Sequence, residues 1–428
     1  MERLHNLFLE TTGISTDTRK ISEQCMFIAL KGENFDGNQF VKQAIQSGAK
    51  YAITSEKELE NNTDIFYVED TLSFLQNLAN YHRKKFSIPV IGITGSNGKT
   101  TSKELIASVL QQQYKVLFTE GNLNNHIGVP LTLLKLRSEH EIAIIEMGAS
   151  KPGDIKELVE LAEPTHGIIT NIGRAHLEGF GSLEGVIRTK SELYDFIRKN
   201  SGKIIINQDD PILTTQLGKY DSVRTYSGKK NGEVTGELIR LTPFAEFEWQ
   251  YGSYVSPTLI THLIGEYNFY NFLAAITFGI EFDVPVEKIN RGITEYIPSN
   301  NRSQVQKTEH NTLILDAYNA NPTSMLSALE SFDKINHLSK MVVLGDMLEL
   351  GKESDTEHQK IVDYLTSKDW KVLVVGKEFQ KTKFPDSILH FENNTAVRDY
   401  LLEAQPRDKL ILIKGSRGIK LETCVDAL

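Results

Sequence analysis

The sequence predicts an α/β protein of three domains, built from parallel sheets that helices cover. Apolar runs such as "PVIGITG" (89–95) and "KLILIKGS" (409–416) alternate with segments long enough for helices, and this alternation is typical of parallel sheets. The pattern is interrupted twice, near residues 88 and 302. A chain of 428 residues has room for about two to four domains of ordinary size.

The first predicted domain, residues 1–87, is a small α/β unit with short strands such as "CMFIAL" (25–30) and "YAIT" (51–54). The segment "KFSIPV" (85–90) is polar and has a proline near its end, which is typical of a connection. We therefore expect a domain boundary there.

The second predicted domain, residues 88–301, is expected to contain a central, mostly parallel sheet. Its strands are apolar throughout, as expected where both faces of a sheet are covered. They are predicted at residues 89–95, 141–148, 166–173 and 203–210. The stretch 220–262 has short alternating segments such as "FAEFEWQYG", which predict added antiparallel strands.

The third predicted domain, residues 302–428, is doubly wound and Rossmann-like. Its strands are predicted at 311–318, 340–347, 371–377 and 409–416, and its helices begin near Pro322, Ser354 and Asn394. Polar residues follow the strands, at the edge where such sheets bind ligands.

The composition argues against several classes of protein. A net charge of −9 does not favour a nucleic acid or an anionic membrane as partner. Cys25 and Cys424 form no metal or redox spacing, so free thiols in a reducing compartment are expected. The N-terminus lacks the apolar core of a signal peptide, and no run approaches the ~18 apolar residues of a membrane span. The sequence therefore predicts a cytoplasmic protein.

The stretch "IGITGSNGKTTS" (91–102) has the glycines and the Lys-Thr pair of a phosphate-binding loop. It is shorter than the common pattern, because Ile93 stands where that pattern has its first glycine. Its context, a buried strand before it and an amphipathic helix after it, is nevertheless that of a phosphate loop. A structural turn before a solvated lysine is the weaker alternative.

Residues of this loop have predicted roles in phosphate binding. Gly95 and Gly98 let backbone amides turn toward an anion at the helix N-terminus. Lys99 is expected to reach the terminal phosphates, and the hydroxyl of Thr100 to bind Mg²⁺. Glu146, where a buried strand should end, is costly to bury unless a metal neutralises it. A helix-capping or ion-paired Glu146 is the alternative.

The segment 170–197 contains two residues whose roles the spacing leaves open. Lys190 falls on the apolar stripe of a predicted helix, at i+3 from Ile187. Burial there would lower its pKa and leave a neutral, nucleophilic amine, whereas a lysine whose tip reaches water is the commoner case. Since histidine is a poor ligand for Mg²⁺, chemistry alone predicts that His176 is a loop histidine.

Polar groups after the strands of the third domain are candidates for ligand binding, each with a surface-loop alternative. Asp316 could bind a hydroxyl or a cation, and Lys414 and Arg417 could bind an anion. Arg302, at the second boundary, is suited to closing over a nucleotide phosphate.

Taken together, these motifs resemble the Mur ligase family. "TGSNGKTT" (94–101) is similar to the shorter nucleotide loop of that family, and the resemblance runs over essentially the whole chain. "GNLNNHIGVPLTLL" (121–134), "DAYNANPTSM" (316–325) and "GDMLELG" (345–351) are most similar to the branch that adds the last unit of the cell-wall peptide.

The resemblance implies an ATP-dependent amide ligase. Its first domain would bind the UDP-sugar, its central P-loop-type domain would be the ATPase, and its third domain would close over ATP. The implied substrates are UDP-N-acetylmuramoyl-tripeptide and D-alanyl-D-alanine, joined through an acyl phosphate. ATP and two Mg²⁺ ions are the implied cofactors. A monomer is expected, with no nucleic acid and no stable membrane insertion.

The resemblance also assigns roles residue by residue. Its nucleotide-binding positions are Gly95, Ser96, Asn97, Gly98, Lys99, Thr100, Thr101, Asn268, Asn271, Arg302, Asp316 and Asn319. Its substrate-binding positions are Thr18, Arg19, Asp36, Gly37, Asn124 and Asn125. Its metal ligands are Thr100, Glu146, His176 and a Lys190 carbamylated by CO₂. Its catalytic residues are Lys99, His176 and Lys190. Because CO₂ requires a neutral amine, the resemblance favours the buried interpretation of Lys190.

There are two alternatives, one within the enzymes and one from a different class. A sibling enzyme, either another Mur-type ligase or a folylpolyglutamate synthase, is disfavoured by the "YNANP" and "GDMLELG" pair. A non-catalytic nucleotide-binding protein is disfavoured by the intact Lys99, Glu146, His176 and Lys190. The sequence leaves open whether the third residue of the tripeptide is lysine or diaminopimelate.

Overall fold

The computed structural model describes residues 1–241, 243–299 and 302–428. Asn300 and Asn301, at the predicted second boundary, lie outside the described residues. The described residues form an α/β fold with one large sheet of ten strands, two smaller sheets of four and six strands and a two-stranded antiparallel ribbon. The predicted fold class, with three α/β units, is confirmed.

The N-terminal unit contains a parallel sheet of order β1-β2-β5-β6. Its elements are α1 Glu2–Leu9, β1 Ile14–Ser15, β2 Met26–Ile28, β3 Lys31–Gly32, β4 Phe35–Asp36, α2 Val41–Gln46, β5 Tyr51–Thr54, β6 Ile65–Tyr67 and α3 Thr71–Arg83. Asp70 begins α3 by accepting a hydrogen bond from the Ser73 amide at 2.6 Å. The buried face of α3 packs against the central unit.

The central unit contains the ten-stranded sheet, with helices on both faces. Its first elements are β7 Val90–Thr94, α4 Lys99–Leu110, β8 Val116–Phe118, α5 Gly128–Leu133, β9 Ile142–Glu146, α6 Asp154–Ala162, β10 His166–Ile169, α7 Leu177–Phe180 and α8 Leu183–Lys199. The remaining ones are β11 Lys203–Asn207, α9 Pro211–Leu217, β12 Val223–Ser227, β13 Val234–Leu241, β14 Phe244–Tyr251, β15 Tyr254–Val255, β16 Leu259–Ile264, α10 Phe269–Glu281 and α11 Val286–Thr294.

The order of this sheet is β15-β14-β13-β12-β11-β10-β7-β9-β8, with β16 on β14. The prediction of antiparallel strands throughout 220–262 is wrong in part. β12 runs parallel to β11 and pairs briefly with a parallel β13, and antiparallel pairing begins only at β14. The physical reason is α9, which provides the crossover that a parallel connection needs. The short strand β8 was not predicted.

The C-terminal unit has a sheet of order β17-β18-β22-β19-β20-β21. Its elements are β17 Gln304–Lys307, β18 Thr312–Asp316, α12 Pro322–Lys334, β19 Lys340–Gly345, α13 Ser354–Thr366, β20 Lys371–Val375, α14 Lys377–Gln380, β21 Ile388–Phe391, α15 Asn394–Ala404 and β22 Leu410–Lys414. The four strands predicted from the apolar runs are present, and helices begin at the three predicted residues. The edge strands β17 and β21 were not predicted.

The carboxyl ends of β7, β9 and β10 lie side by side, because these three strands are parallel neighbours. α4 and α10 pack together on one face of the sheet in an apolar cluster. This arrangement brings the loops that follow the three strands to one edge. No helix in the described residues is both long enough and apolar enough to cross a membrane.

Candidate active site

A cavity of about 690 Å³ lies between the central sheet and the C-terminal unit. It is lined by the loop after β7, by the ends of β9 and β10, by the start of α10 and by the loop after β18. The predicted site residues that line it are Ser96, Asn97, Gly98, Lys99, Thr100, Thr101, Asn124, Asn125, Glu146, His176, Asn268, Asn271, Arg302, Asp316 and Asn319. One cavity thus collects residues from both units.

Four predicted substrate-binding residues lie apart from this cavity, in the N-terminal unit. Arg19 is exposed and its guanidinium pairs with Asp17 at 2.8 Å, next to Thr18. Asp36 pairs with Lys31 at 3.0 Å. The neighbouring Gly37 is required sterically, because an added Cβ would lie 2.5 Å from the carbonyl oxygen of Leu30. Their role in binding a UDP-sugar stays a prediction.

The loop after β7 is braced by the segment that follows β10. The amides of Ser96 and Asn97 donate to the backbone oxygen of Asn171 at 2.9 Å and to its Oδ1 at 3.0 Å. The Ser96 hydroxyl donates to the carbonyl oxygen of Gly173 at 3.0 Å. Because these bonds use two amides of the loop, we expect an anion to bind the amides from Gly98 onward, at the start of α4.

Two positions in the loop accept only glycine. Gly95 has φ +150° and Gly98 has φ +77°, a region that side chains rarely adopt. An added Cβ at Gly95 would lie 1.9 Å from Thr170 Oγ1, and one at Gly98 would lie 2.8 Å from Asn271 Oδ1. Close contact with neighbouring segments therefore shapes this short loop, without the first glycine of the longer pattern.

The Lys99 ammonium lies over its own loop. Nζ donates to the carbonyl oxygens of Gly95 at 2.7 Å and Ser96 at 3.3 Å. Burial lowers the pKa of Lys99, while the carboxylate of Glu146 raises it and the charge of Arg302 lowers it further. The loop carbonyls hold the cation at the N-terminus of α4, where a terminal phosphate would bind.

Glu146 and Thr100 form the best candidate for a cation site. The Glu146 carboxylate is 1% exposed, and its Oε1 accepts hydrogen bonds from Thr100 Oγ1 at 3.1 Å and Asn124 Nδ2 at 2.8 Å. Its Oε2 is buried without a hydrogen-bond partner. The nearest cation to it is the Lys103 ammonium, at 4.0 Å.

These residues fit Mg²⁺. A carboxylate and a hydroxyl are oxygen ligands of the kind that Mg²⁺ prefers, and Mg²⁺ usually keeps waters and phosphate oxygens as its other ligands. In residues 1–241, 243–299 and 302–428, no three His, Cys, Asp or Glu side chains converge on one point. A cation bound by Glu146 and Thr100 would accordingly take further ligands from phosphate and water.

Lys190 is buried in α8, with 1% of the residue exposed. Its Nζ lies 5.7 Å from the centre of the Phe180 ring, and the residue is not part of the cavity lining given above. Burial, and next the positive charge of Lys99, hold the pKa of Lys190 well below its usual range. The buried position is the one that the family resemblance favoured over a lysine whose tip reaches water.

His176 begins α7 in a left-handed conformation, with φ 52°. Its ring packs edge-on against Phe180, at 6.3 Å between centres, so His176 and Lys190 share contact with one aromatic ring. Nδ1 of His176 contacts Oε2 of Glu349 from the C-terminal unit. A metal site shared by His176 and Lys190 stays a prediction. It fits only a carbamylated lysine, since a free amine offers no anionic oxygen.

The predicted residues of the C-terminal unit meet at the ends of β18 and β22. Oδ2 of Asp316 accepts a hydrogen bond from the Lys414 ammonium at 2.6 Å, and Oδ1 accepts one from the Ser303 amide at 3.2 Å. Arg302 stacks on Tyr318, with its guanidinium carbon 3.6 Å from the ring centre. Nε of Arg302 is buried without a hydrogen-bond partner. The Asn319 carbonyl oxygen accepts a hydrogen bond from Lys414 at 3.2 Å.

Asn268 and Asn271 form a chain of hydrogen bonds at the start of α10. Ser102 Oγ donates to Asn271 Oδ1 at 3.0 Å, and Asn271 Nδ2 donates to Asn268 Oδ1 at 2.9 Å. Asn268 Nδ2 donates to Ser303 Oγ at 3.2 Å. The chain links α4 to the segment that leads into the C-terminal unit, so these asparagines are positioned whether or not they contact a nucleotide.

The sequence interpretation missed several residues of this site. Asn171, which braces the loop, had a signal, because it is a polar residue directly after a buried strand. Lys103 had none: it is fully buried in α4 and donates to the Thr119 carbonyl oxygen at 2.6 Å. Asn321 Nδ2 donates to Asn97 Oδ1 at 2.7 Å, and such a contact between two units cannot be inferred from spacing.

The fold and the site define a class: α/β proteins that place a phosphate-binding loop between a central sheet and a docked C-terminal unit. Profiles of three domains match the chain: the Mur ligase family catalytic domain at residues 10–90, the Mur ligase middle domain at 93–279 and the Mur ligase glutamate ligase domain at 301–417. The chain belongs to the Mur ligase family.

Individual relatives match over nearly the whole chain. The UDP-N-acetylmuramoyl-tripeptide–D-alanyl-D-alanine ligase of Bacillus subtilis is 36% identical, over 97% of this chain and 93% of that protein. The enzyme of the same name from Escherichia coli is 35% identical over the same shares. MurF from Acinetobacter baumannii has a TM-score of 0.88 at 31% identity, covering 99% of this chain and 97% of that one. MurF from Thermotoga maritima, solved in complex with ADP, has a TM-score of 0.87 at 27% identity, covering 98% of this chain and 97% of that one.

Proposed function

We propose that this chain is an ATP-dependent ligase that joins D-alanyl-D-alanine to UDP-N-acetylmuramoyl-tripeptide. The names of the Bacillus subtilis and Escherichia coli relatives support this reading over a sibling ligase. The observation that carries it is a single cavity that contains Lys99, Thr100 and an incompletely bonded Glu146. The central unit also contains the buried Lys190, whose pKa burial and the charge of Lys99 lower. Together these groups suit the activation of a carboxylate by ATP.

The chemistry requires two anions to meet. The terminal carboxylate of the tripeptide attacks the γ-phosphate of ATP and gives an acyl phosphate and ADP. The amine of D-alanyl-D-alanine then attacks the carbonyl carbon, phosphate leaves, and the amine loses a proton. Lys99 would neutralise phosphate charge during the first step, and the helix N-terminus of α4 would add its partial positive charge. Bound Mg²⁺ would supply further charge neutralisation.

We assign one Mg²⁺ to Thr100 and Glu146, and a second to His176 and a carbamylated Lys190. The nucleotide would lie along the loop after β7 and against Arg302, Asp316 and Asn319. The UDP-sugar would bind the N-terminal unit. We further propose division into domains at residues 88 and 302 and a monomeric form. A cytoplasmic location follows from the use of ATP and a UDP-linked precursor.

The test is phosphate release from ATP, with the tripeptide precursor and D-alanyl-D-alanine added singly and together. We expect turnover only with both. Turnover with glutamate in place of the dipeptide would point to a sibling ligase. ATP hydrolysis with neither substrate, or no turnover with both, would contradict the proposal. Parallel reactions with lysine-containing and diaminopimelate-containing precursors would show which third residue of the tripeptide the chain accepts.

A further inference from the structure

The C-terminal unit reaches His176 with one carboxylate, that of Glu349. Glu349 lies in the loop between β19 and α13, and its Oε2 contacts Nδ1 of His176 across the boundary between the two units. The same loop binds the start of α7, because the Glu178 amide donates to the Glu349 carbonyl oxygen at 3.3 Å. Gly351 faces Glu178 there, since an added Cβ would lie in van der Waals contact with it, at 3.4 Å.

Both partners are held in an unfavourable backbone conformation. His176 has φ 52° and Glu349 has φ 65°, in the left-handed region that non-glycine residues seldom occupy. Such conformations persist where the surrounding structure determines them, and they gather at functional sites. The contact is thus built from two loops that are each shaped to present one side chain.

A second contact between the same elements does not involve His176. The Arg174 guanidinium pairs with Glu357 at 3.1 Å and with Glu353 at 3.3 Å. These ion pairs hold the segment before α7 against the C-terminal unit, at a position two residues before His176. Glu353 therefore offers a matched control for Glu349, because it contributes to docking without contacting the imidazole.

We propose that Glu349 is a positioning residue that sets the tautomer of His176 when the C-terminal unit is docked. A carboxylate at Nδ1 keeps the proton on that nitrogen and leaves the lone pair on Nε2. Carboxylates or carbonyls commonly orient metal-binding histidines in this way. His176 lines the cavity, so Nε2 becomes the nitrogen available to a cation there. His176 therefore takes up this tautomer when the C-terminal unit docks and brings Glu349 to Nδ1.

The tautomer part of this inference is independent of the reaction, whereas the role of Nε2 as a metal ligand rests on the proposed function. The first test is the ¹⁵N spectrum of the full chain labelled at histidine, near pH 8, where an ordinary histidine is neutral. The chain has 11 histidines, and His176→Gln identifies the signal. We expect a protonated Nδ1 and an unprotonated Nε2.

The variants separate positioning from docking. Glu349→Ala should move His176 toward the Nε2-protonated form or an average of both, whereas Glu349→Gln should retain the native form, because its amide oxygen still accepts from Nδ1. Glu353→Ala should leave the spectrum of His176 unchanged. The inference is overturned if Glu349→Ala leaves the tautomer unchanged, or if Glu353→Ala changes it equally.

The second test measures Mn²⁺ binding by electron paramagnetic resonance, with ADP and bicarbonate present. We expect Glu349→Ala to weaken one class of Mn²⁺ site by roughly tenfold, with ADP affinity and the other class unchanged. Equal Mn²⁺ affinity in wild type and Glu349→Ala would overturn the metal part. If the wild-type chain fails the ligation assay while its tautomer follows the prediction, the proposed function falls and the positioning role stands.

Discussion

The nucleotide loop and the His176 loop lie at one cavity but are held in different ways. The loop after β7 is braced inside the central sheet, where Ser96 and Asn97 bond to Asn171 at 2.9 and 3.0 Å. The His176 loop receives its decisive contact from the C-terminal unit, through Glu349. The nucleotide loop is thus held mainly by its own unit, with one hydrogen bond to Asn97 from Asn321 of the C-terminal unit, whereas the His176 loop contacts the C-terminal unit through the side chain of Glu349.

This difference assigns the two halves different tasks. A loop fixed by its own sheet can bind phosphate before the units close, at little cost in reorganisation. A loop completed by another unit becomes competent only on closure, which suits a reaction whose acyl phosphate must be protected from water. Changes in the first half should therefore alter nucleotide binding, and changes in the second half should alter the chemical step.

The largest effect should come from Lys190→Ala. The variant loses the amine that would carry the carbamate, and we expect kcat to fall by roughly 10³-fold, with little change in ADP affinity. Excess acetate should restore part of the activity, because it supplies an anionic oxygen in the space of the side chain. Steady-state kinetics and ADP titration measure both.

Arg188→Ala is the control for Lys190. Arg188 lies on the same helix but is exposed, so it should keep nearly full activity. Full activity of Lys190→Ala without acetate would exclude a role for the buried amine, and loss of ADP binding would contradict the division of tasks between the two halves.

Glu146→Gln should have the next effect, on the braced half. The substitution keeps an oxygen that accepts from Thr100 and Asn124 but removes the negative charge near Oε2. We expect roughly a hundredfold loss of kcat/KM and a higher Mg²⁺ requirement for nucleotide binding. Glu141→Gln, at the exposed residue directly before the same strand, is the control. An unchanged Mg²⁺ dependence in Glu146→Gln would remove this carboxylate from the cation site.

Gly95→Ala tests whether close packing shapes the loop. An added Cβ would lie 1.9 Å from Thr170 Oγ1, and we expect a loss of roughly 2 kcal/mol in the free energy of unfolding. Urea unfolding measures this. Gly252→Ala, at φ +56° with open space around it, should lose only about 1 kcal/mol, from backbone strain. Equal losses would show that the clash with Thr170 is relieved elsewhere.

The smallest effect should come from Glu281→Gln, at the opposite end of the sheet. Glu281 pairs with Lys203 at 2.9 Å and Arg224 at 2.8 Å. Burial, the largest single effect, raises its pKa, but hydrogen bonds with His166 and these two cations together lower it to about 2. The variant should lose about 1 kcal/mol of stability at pH 7, since solvent screens part of the interaction.

The stabilising contribution of Glu281 should depend on pH. The folded pKa of Glu281 lies below its ordinary value of 4.5, so its contribution is full above about pH 4.5 and is lost as the pH falls toward 2. The gap in unfolding free energy between wild type and Glu281→Gln should narrow over that range. A gap that stays constant would mean that the carboxylate charge contributes nothing.

Much of the fold could be predicted because its strands are apolar on both faces and its helices have clear starts. The runs that became β7, β9, β10 and β11 needed only local pattern. The parallel pairing of β12 was missed because periodicity does not report strand direction. β17 and β21 were missed because edge strands of four residues carry too little pattern to separate from loops.

The candidate site also has residues that local pattern predicts and contacts that it does not. Lys99, Thr100 and Glu146 could be predicted because they lie in one strand–loop–helix unit or at a neighbouring strand end. The spacing to Ile187 placed Lys190 on the apolar stripe of its helix, but both its burial and its chemical role were favoured only by family resemblance. The contact of Glu349 with His176 joins residues far apart in sequence, and its left-handed backbone leaves no signal in residue type. Tertiary docking decides such contacts.

The most direct test of the account is isotope transfer during ligation. The tripeptide precursor, labelled with ¹⁸O in its terminal carboxylate, is incubated with the wild-type chain, ATP, Mg²⁺ and D-alanyl-D-alanine, and the released phosphate is analysed by mass spectrometry. If the carboxylate attacks the γ-phosphate, one ¹⁸O leaves with each phosphate, and the account predicts this result. Amide product accompanied by unlabelled phosphate would contradict an acyl phosphate and with it the assigned roles of Lys99 and Glu146.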